Sequence, residues 1–181
     1  MHTHTAVSGI IDTEYSQVYF RSGDDFLGLT TEAAFLDHAN GLLGAGQQGC
    51  LFLFVGVTNG ALNITVENHA TRPPVDAFWE EVVEASCTVA GPPIRLESWD
   101  GASFLEPELT EGQYRVRFCA TAYGRSKESA IAGPSSSERY ALIFWPESPR
   151  PDEIIKRTSG LACQRHEWVL SQPLHQRSLP T

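Results

Sequence analysis

Short runs of alternating apolar and polar residues recur along this chain and predict β-strands. In residues 62–67, Leu, Ile and Val alternate with Asn, Thr and Glu, and in residues 114–119, Tyr, Val and Phe alternate with Arg and Cys. Residues 50–57 and 140–145 are apolar almost throughout, which is typical of strands that are covered on both faces. Together with the Gly- and Pro-containing breaks between them, these runs predict about seven or eight strands.

One helix is predicted, around residues 31–43. The sequence Thr30-Thr31-Glu32 places a hydroxyl ahead of an acidic first turn, which is a typical helix start. Glycines at 41 and 44 are expected to end it. The apolar residues at helical spacing are Phe35, Leu36, Ala39, Leu42 and Leu43.

This order of elements predicts a mainly β protein, an antiparallel β-sandwich with one short helix. A parallel α/β fold would need helices between the strands, and the chain has no room for them. We expect residues 1–170 to form a single domain and residues 171–181 to be a flexible tail. The predicted core residues are Phe35, Leu36, Leu51, Leu53, Val55, Ile64, Val83, Val116, Phe118, Leu142 and Phe144.

Length, composition and cysteine usage fit a folded, reduced protein. The chain has 181 residues, of which 41% are hydrophobic and 19% charged, so one globular domain is expected. Its longest apolar run, 50–55, is too short to cross a bilayer, and the N-terminus does not have the pattern of a signal peptide. We therefore expect a cytoplasmic protein that is not bound to a membrane. Its four separated cysteines, expected to be free thiols, are Cys50, Cys87, Cys119 and Cys163.

The net charge of −9 is unevenly distributed along the chain. Residues 1–66 carry −5, residues 67–111 carry −8, and residues 112–181 carry +4. An acidic surface argues against nucleic acid as a ligand, because phosphate binding requires Lys and Arg. The same surface is compatible with a basic protein partner, or with a surface that is merely well solvated.

Chemical motifs do not assemble into a catalytic signature. The glycines of 44–49 spell G-x-G-x-x-G, but helix precedes strand, the reverse of a dinucleotide-binding turn. Asp24-Asp25 offers oxygen ligands without a matching second set, and Cys163 with His166 is a lone pair. His2 and His4 offer only loose metal binding at a terminus. We therefore predict no enzyme activity, no cofactor and no stoichiometric metal.

Two other classes of function remain open from these residues. A small hydrolase or metal-dependent enzyme would use Asp24, Asp25, Cys163 or His166 first. A sandwich that binds a small ligand or carbohydrate would have an aromatic-lined concave face, which a sequence alone cannot display.

A family resemblance is carried by the order of elements in residues 13–122. An aromatic strand, a helix, the connection Gly46-Gln47-Gln48-Gly49 and an apolar strand come first, and two further strands follow. The most specific part is Leu-Thr-Glu-Gly-Gln-Tyr-Arg-Val at 109–116. In these features the chain resembles the competence-protein J (ComJ-type) nuclease inhibitors of bacteria. The segment Trp-Glu-Glu-Val-Val-Glu at 79–84 is also similar to that of actinobacterial relatives without an assigned role.

The resemblance implies an inhibitor or immunity-type binding protein, and residues 123–181 extend beyond the family's compact pattern. Combined with the charge distribution, it leads to the hypothesis of a non-enzymatic module that restrains a basic partner, a nuclease or toxin, through an acidic face. An aromatic anchor within a charged rim is a common arrangement at such interfaces. The residues predicted to contact the partner are Glu80, Glu84, Glu97, Trp99, Asp100, Glu108 and Glu111.

Overall fold

Two β-sheets pack face to face around one main core. The computed structural model describes residues 4–24, 29–125 and 137–172. The five-stranded sheet contains, in spatial order, β3 (Leu43–Gly44), β4 (Cys50–Phe54), β2 (Gln17–Ser22), β7 (Ile94–Ser98) and β8 (Phe104–Leu105). The six-stranded sheet contains β1 (His4–Thr13), β5 (Gly60–His69), β10 (Arg139–Pro146), β9 (Gly112–Thr121), β6 (Glu81–Val89) and β11 (Glu153–Lys156).

The prediction of a mainly β sandwich is confirmed. The strands pair antiparallel with one exception, since β5 and β10 run parallel. That pair makes the six-stranded sheet mixed, which local alternation cannot predict because it carries no information about strand direction. The described residues form eleven strands; the surplus over the expected number comes mainly from two-residue strands and an edge strand.

The core lies between the sheets and follows the predicted alternation. In β5 the even-numbered Leu62, Ile64 and Val66 are buried, while odd-numbered positions face outward. Phe20 of the five-stranded sheet meets Phe144 of the six-stranded sheet, with ring centroids 5.0 Å apart. Each such fully buried side chain contributes roughly 2 kcal/mol to stability. Ten of the eleven predicted core residues are buried, and the exception is Leu36, which is 39% exposed.

The helix predicted around 31–43 is wrong in its length. Helix α1 spans only Thr31–Ala34, with the Thr30 side chain accepting a hydrogen bond from the Ala33 N–H as predicted for a cap. Beyond it, Asp37 adopts a left-handed backbone conformation (φ 62°). The backbone N–H groups of Ala39 and Asn40 donate to the Asp152 carboxylate instead of continuing a helix.

A second helix, α2, spans Gly160–Leu170 and was not predicted. It starts where the Ser159 hydroxyl accepts from the Ala162 N–H. It buries only Ala162, His166 and Val169, so its apolar stripe is too thin to stand out in the sequence. Residues 173–181, most of the predicted tail, lie outside the described residues, and the single-domain prediction stays a prediction.

The outer faces of both sheets are partly covered. On the five-stranded sheet, α2 places Trp168 and Val169 in a cluster with Phe35, Phe52 and Phe54. On the six-stranded sheet, Val75 and Trp79 pack over a second group, formed by Val82, Cys119, Ala141, Ile143 and Trp145. Neither helix in the described part of the chain is long and apolar enough to cross a membrane.

Candidate protein-binding surface

Glu84 lies on the covered outer face of the six-stranded sheet, not on an exposed surface. It is fully buried, and its carboxylate accepts hydrogen bonds from Arg117 at 2.9 Å, Arg150 at 3.0 Å and Arg72 at 3.1 Å. Burial by itself raises the pKa of Glu84, but hydrogen bonds and charge from Arg117 and Arg72 outweigh burial and hold the pKa below its ordinary value. Glu84 is one of the residues predicted to contact a partner, and its carboxylate is not accessible from the surface.

The arginines around Glu84 connect the sheet to the segments that cover it. Arg117 also donates to the carbonyls of Pro73 and Pro74, at 3.0 and 3.2 Å. Arg115 donates to the Arg150 carbonyl at 3.0 Å. This network holds the outer-face segments in place, and its role is structural.

Glu97 and Glu80 are also engaged within the fold. Glu97 is buried and pairs with Arg21 at 2.6 Å, so it too is removed from any exposed acidic face. Glu80 is partly exposed and accepts a hydrogen bond from the Ala122 N–H at 2.7 Å. It precedes β6 of the six-stranded sheet, whereas the remaining predicted residues follow β7 of the other sheet.

The other four predicted residues are exposed and lie on one segment that carries β8. Trp99 is 53% exposed, and Phe104 on the same segment is 43% exposed. The segment contains four exposed carboxylates and no Lys or Arg. We call this the 99–111 surface, and it consists of Trp99, Asp100, Phe104, Glu106, Glu108 and Glu111.

A tight turn fixes the start of the 99–111 surface. Asp100 accepts hydrogen bonds from the Ser98 hydroxyl at 2.7 Å and from the Ala102 N–H at 3.0 Å. Both hydrogen bonds lower the pKa of Asp100, and the bond from the Ser98 hydroxyl has the larger effect. Asp100 is therefore ionised at neutral pH. The turn is attached to β1, because the Ser103 hydroxyl accepts from the Asp12 N–H at 3.2 Å.

Contacts with the opposite sheet hold the rest of the surface. Leu105 packs so closely on Gly9 of β1 that a Cβ at that glycine would lie 2.6 Å from its side chain. The Asn68 amide of β5 donates to the Glu108 carbonyl at 3.0 Å. These contacts hold the surface in one conformation. A pre-organised surface loses little conformational entropy when it binds a partner, so more of the contact energy contributes to affinity.

One cation is already placed beside this surface. The Arg95 guanidinium lies 4.3 Å from the centre of the Phe104 ring and pairs with Glu106 at 3.2 Å. An exposed pair of this kind is worth little in stability. Asp100, Glu108 and Glu111 have no such ion pair among the described residues, so their charge is available to a basic partner.

Of the residues first considered for an enzyme, His166 has a structural role in the described part of the chain. His166 is buried, and its Nδ1 accepts from the Gly41 N–H at 2.9 Å. Burial, with a smaller contribution from Arg157, lowers the pKa of His166 to about 4. Cys163 is partly buried on the same helix, Asp24 is exposed, and Asp25 lies outside the described residues. A histidine used as a structural acceptor, three residues from a free thiol, does not indicate catalysis.

Two features on the outer face of strands β1 and β5 were not predicted from the sequence. A groove of about 490 Å³ is lined by Phe78 and Trp79 together with polar Ser8, Asn63 and Arg139. Further along the same strands, a second group brings metal-ligating atoms together, formed by His4, Glu67 and His69. The strand pairing joins residues some 60 positions apart, so no local motif could have shown either feature.

The two packed sheets and their partly covered outer faces define a β-sandwich, and this sandwich has the ComJ-like fold. Two solved structures share it. One is ComJ from Bacillus subtilis, described as an inhibitor of the DNA-degrading activity of NucA, with a TM-score of 0.51 and 13% identity. The other is crocagin biosynthetic gene J, with a TM-score of 0.51 and 12% identity. Each match covers 81% of this chain and 99% of the other chain.

These likenesses confirm the fold expected from the family resemblance, and at this identity they show the fold alone. No protein-family model and no curated protein sequence matches the chain.

Proposed function

We propose that this protein is a non-enzymatic binding module that restrains a basic protein partner, a nuclease or a toxin, through the 99–111 surface. The observation that carries the proposal is a fastened surface with two exposed aromatic rings and four carboxylates. Support comes from the fold, since a solved neighbour with this fold inhibits a nuclease. A cytoplasmic location belongs to the same proposal, since all four cysteines are free.

Complementary charge gives the physical reason. A nuclease must bind phosphates, so its cleft carries Lys and Arg. Carboxylates presented on a rigid surface can occupy such a cleft, and the opposite charges speed association. Trp99 lies among the carboxylates of this surface, and a large aromatic ring within a charged rim is a typical hot spot of binding energy.

Affinity capture from the organism that encodes the protein tests the proposal. The wild-type chain is used as bait beside an Asp100→Lys, Glu108→Lys double variant. Glu167→Lys, a charge reversal at an exposed position of α2, is the matched control. We expect the wild type and the control to retain a basic protein at about 0.05 M salt and to release it near 0.5 M, where charges are strongly screened. The double variant should retain much less.

The aromatic anchor has its own test on the purified complex. We expect Trp99→Ala to weaken binding by about 2 kcal/mol or more, because a large ring would leave the interface. Phe78→Ala is the control, since Phe78 is equally exposed but lies on the outer face of the other sheet. Equal effects of both substitutions would contradict the assignment of the 99–111 surface.

The groove beside Phe78 and Trp79 favours a second candidate function, binding of a small ligand or carbohydrate. Its volume falls in the range of ligand sites, and its lining combines aromatic rings with polar groups. Screening oligosaccharides by NMR shift perturbation tests this candidate. Saturable shifts that disappear in Trp79→Ala would support it, and no shifts at millimolar ligand would contradict it.

A further inference from the structure

Three metal-ligating side chains meet at one end of the β1–β5 pair. His4 and His69 are directly opposite each other in the antiparallel register, and Glu67 is two residues before His69 on the same outward face. The Glu67 Oε2 atom lies 2.7 Å from His69 Nε2 and 3.5 Å from His4 Nε2. The two imidazole rings have centroids 4.3 Å apart and are tilted by 45°.

The spacing of these atoms suits a small divalent ion. A tetrahedral ion with bonds of about 2.0–2.1 Å places its ligand atoms about 3.3 Å apart. In this group one ligand atom from each residue lies within 4.8 Å of the others, which is close to the spacing that such an ion requires. Two imidazole nitrogens and one carboxylate oxygen favour zinc and similar transition metals over calcium or magnesium, which prefer oxygen ligands alone.

The surroundings leave the site accessible. The side chains of His4, Glu67 and His69 are 48%, 27% and 23% exposed, so an ion can enter from solvent. Among the described residues, the ion-pair partners of Glu67 are the two histidines, and no Lys or Arg competes for its carboxylate. The backbone of two paired strands carries all three ligands, which limits their freedom before binding.

In place of the expectation from the sequence that the protein holds no stoichiometric metal, we propose that His4, Glu67 and His69 form a Zn²⁺ site whose fourth coordination position is open to solvent. The ion would link the first residue of edge strand β1 to the last residues of β5. A site with three protein ligands can also take a water molecule or a ligand atom from a bound molecule. This inference does not rest on the 99–111 surface, which contributes none of the three ligands, although Asn68, between Glu67 and His69, donates to the Glu108 carbonyl of that surface.

Calorimetric titration of the metal-free full chain with zinc chloride tests the site. We expect one ion per chain and a higher melting temperature at saturating zinc, because the ion binds the folded state selectively. His69→Ala and the isosteric Glu67→Gln should each lower the affinity on the order of tenfold or more, since each removes one of three ligands. Far-UV circular dichroism and the metal-free melting temperature would verify that both variants fold.

The control separates this site from loose binding by the N-terminal sequence. His2→Ala removes the other histidine of Met-His-Thr-His and should change the affinity by less than about twofold, because His2 is not one of the three ligands. Absence of one-to-one zinc binding to the wild type would overturn the proposal. So would full affinity in both His69→Ala and Glu67→Gln, which would assign the binding to the terminal sequence alone.

Discussion

Glu84 shows how a single buried charge organises one face of this protein. Its carboxylate is shielded from water and surrounded by arginines that come from distant parts of the chain. Removing one partner of a buried ionic group leaves uncompensated charge in a region of low polarity. Without Glu84, the uncompensated charge would be that of Arg115 and Arg117, which are themselves buried.

Replacing Glu84 with glutamine should therefore destabilise the fold strongly. We expect Glu84→Gln to lower the free energy of unfolding by about 3–5 kcal/mol, because Arg115 and Arg117 would lose their counter-charge. Glu153→Gln is the control, since this carboxylate meets Arg150 at the exposed edge of the same network and should cost less than about 1 kcal/mol. Urea denaturation measures both, and equal small losses would contradict the structural role.

The lowered pKa of His166 leads us to expect that the stability of the fold depends on pH. Its pKa is lowered to about 4 in the fold, from 6.5 in an unfolded chain. The unfolded state therefore binds a proton more readily between these values, and stability is lost as the pH falls from 6.5 toward 4. At pH 4.5 the free energy of unfolding is lower by roughly 2–3 kcal/mol than at neutral pH, because a pKa difference of one corresponds to about 1.4 kcal/mol.

The variant His166→Asn isolates this effect. Asparagine offers an oxygen near the position of Nδ1 to accept from Gly41, but it does not titrate. We expect the variant to lose less stability than the wild type between pH 7 and 4.5, as measured by urea denaturation at each pH. Parallel curves for the two proteins would show that His166 does not titrate in this way.

Glu84 lies on the opposite side of β6 from Val83, as expected for successive residues of a strand. What alternation could not show is that both faces of β6 are covered. Val82 and Val83 are both buried, one on the outer face and one in the core. The covering segment around Val75 is irregular, and irregular backbone has no periodicity from which its position could be predicted.

At the scale of elements, the packing of α2 depends on a glycine. A Cβ at Gly41 would lie 2.1 Å from the carbonyl oxygen of Arg165 in α2. The glycine also donates its N–H to His166 of the same helix. The helix and the turn after α1 therefore approach each other at backbone distance, which requires a residue without a side chain.

Gly41→Ala should force α2 away from this turn. We expect a loss of about 2 kcal/mol or more, because neither backbone can relax freely. Gly160→Ala is the matched control at the start of α2, where an added Cβ meets nothing within 4 Å. It should leave stability unchanged or slightly raised. Thermal melting compares the two, and equal stability would contradict the close packing.

The helices mark the limit of prediction from local pattern. The cap at Thr30 was predicted correctly from its hydroxyl and the acidic residue that follows. The end of α1 was not, because it is set by Asp152, more than 100 positions along the chain. The strands were easier to predict, because a strand such as β5 alternates with a period of two residues, and a strand covered on both faces, such as β4, is apolar throughout.

At the scale of the whole molecule, folding decides which of the charges in the sequence remain exposed at the surface. Residues 67–111 carry −8 in the sequence, but Glu81, Glu84 and Glu97 of this segment are buried. The basic C-terminal third supplies Arg115, Arg117 and Arg150 to one of them. The acidic surface left exposed is therefore narrower than the charge count implies, and it is concentrated on the 99–111 surface.

A nuclease is the first of the two partners proposed for the 99–111 surface, and inhibition of such an enzyme can be assayed directly. The most direct measurement is DNA degradation by the captured, purified partner, titrated with this protein at low and at moderate salt. We predict stoichiometric inhibition by the wild type and by Glu167→Lys. The Asp100→Lys, Glu108→Lys variant should need roughly tenfold more protein, with the difference largest at low salt. Equal inhibition by the wild type and the double variant at every salt concentration would contradict the claim.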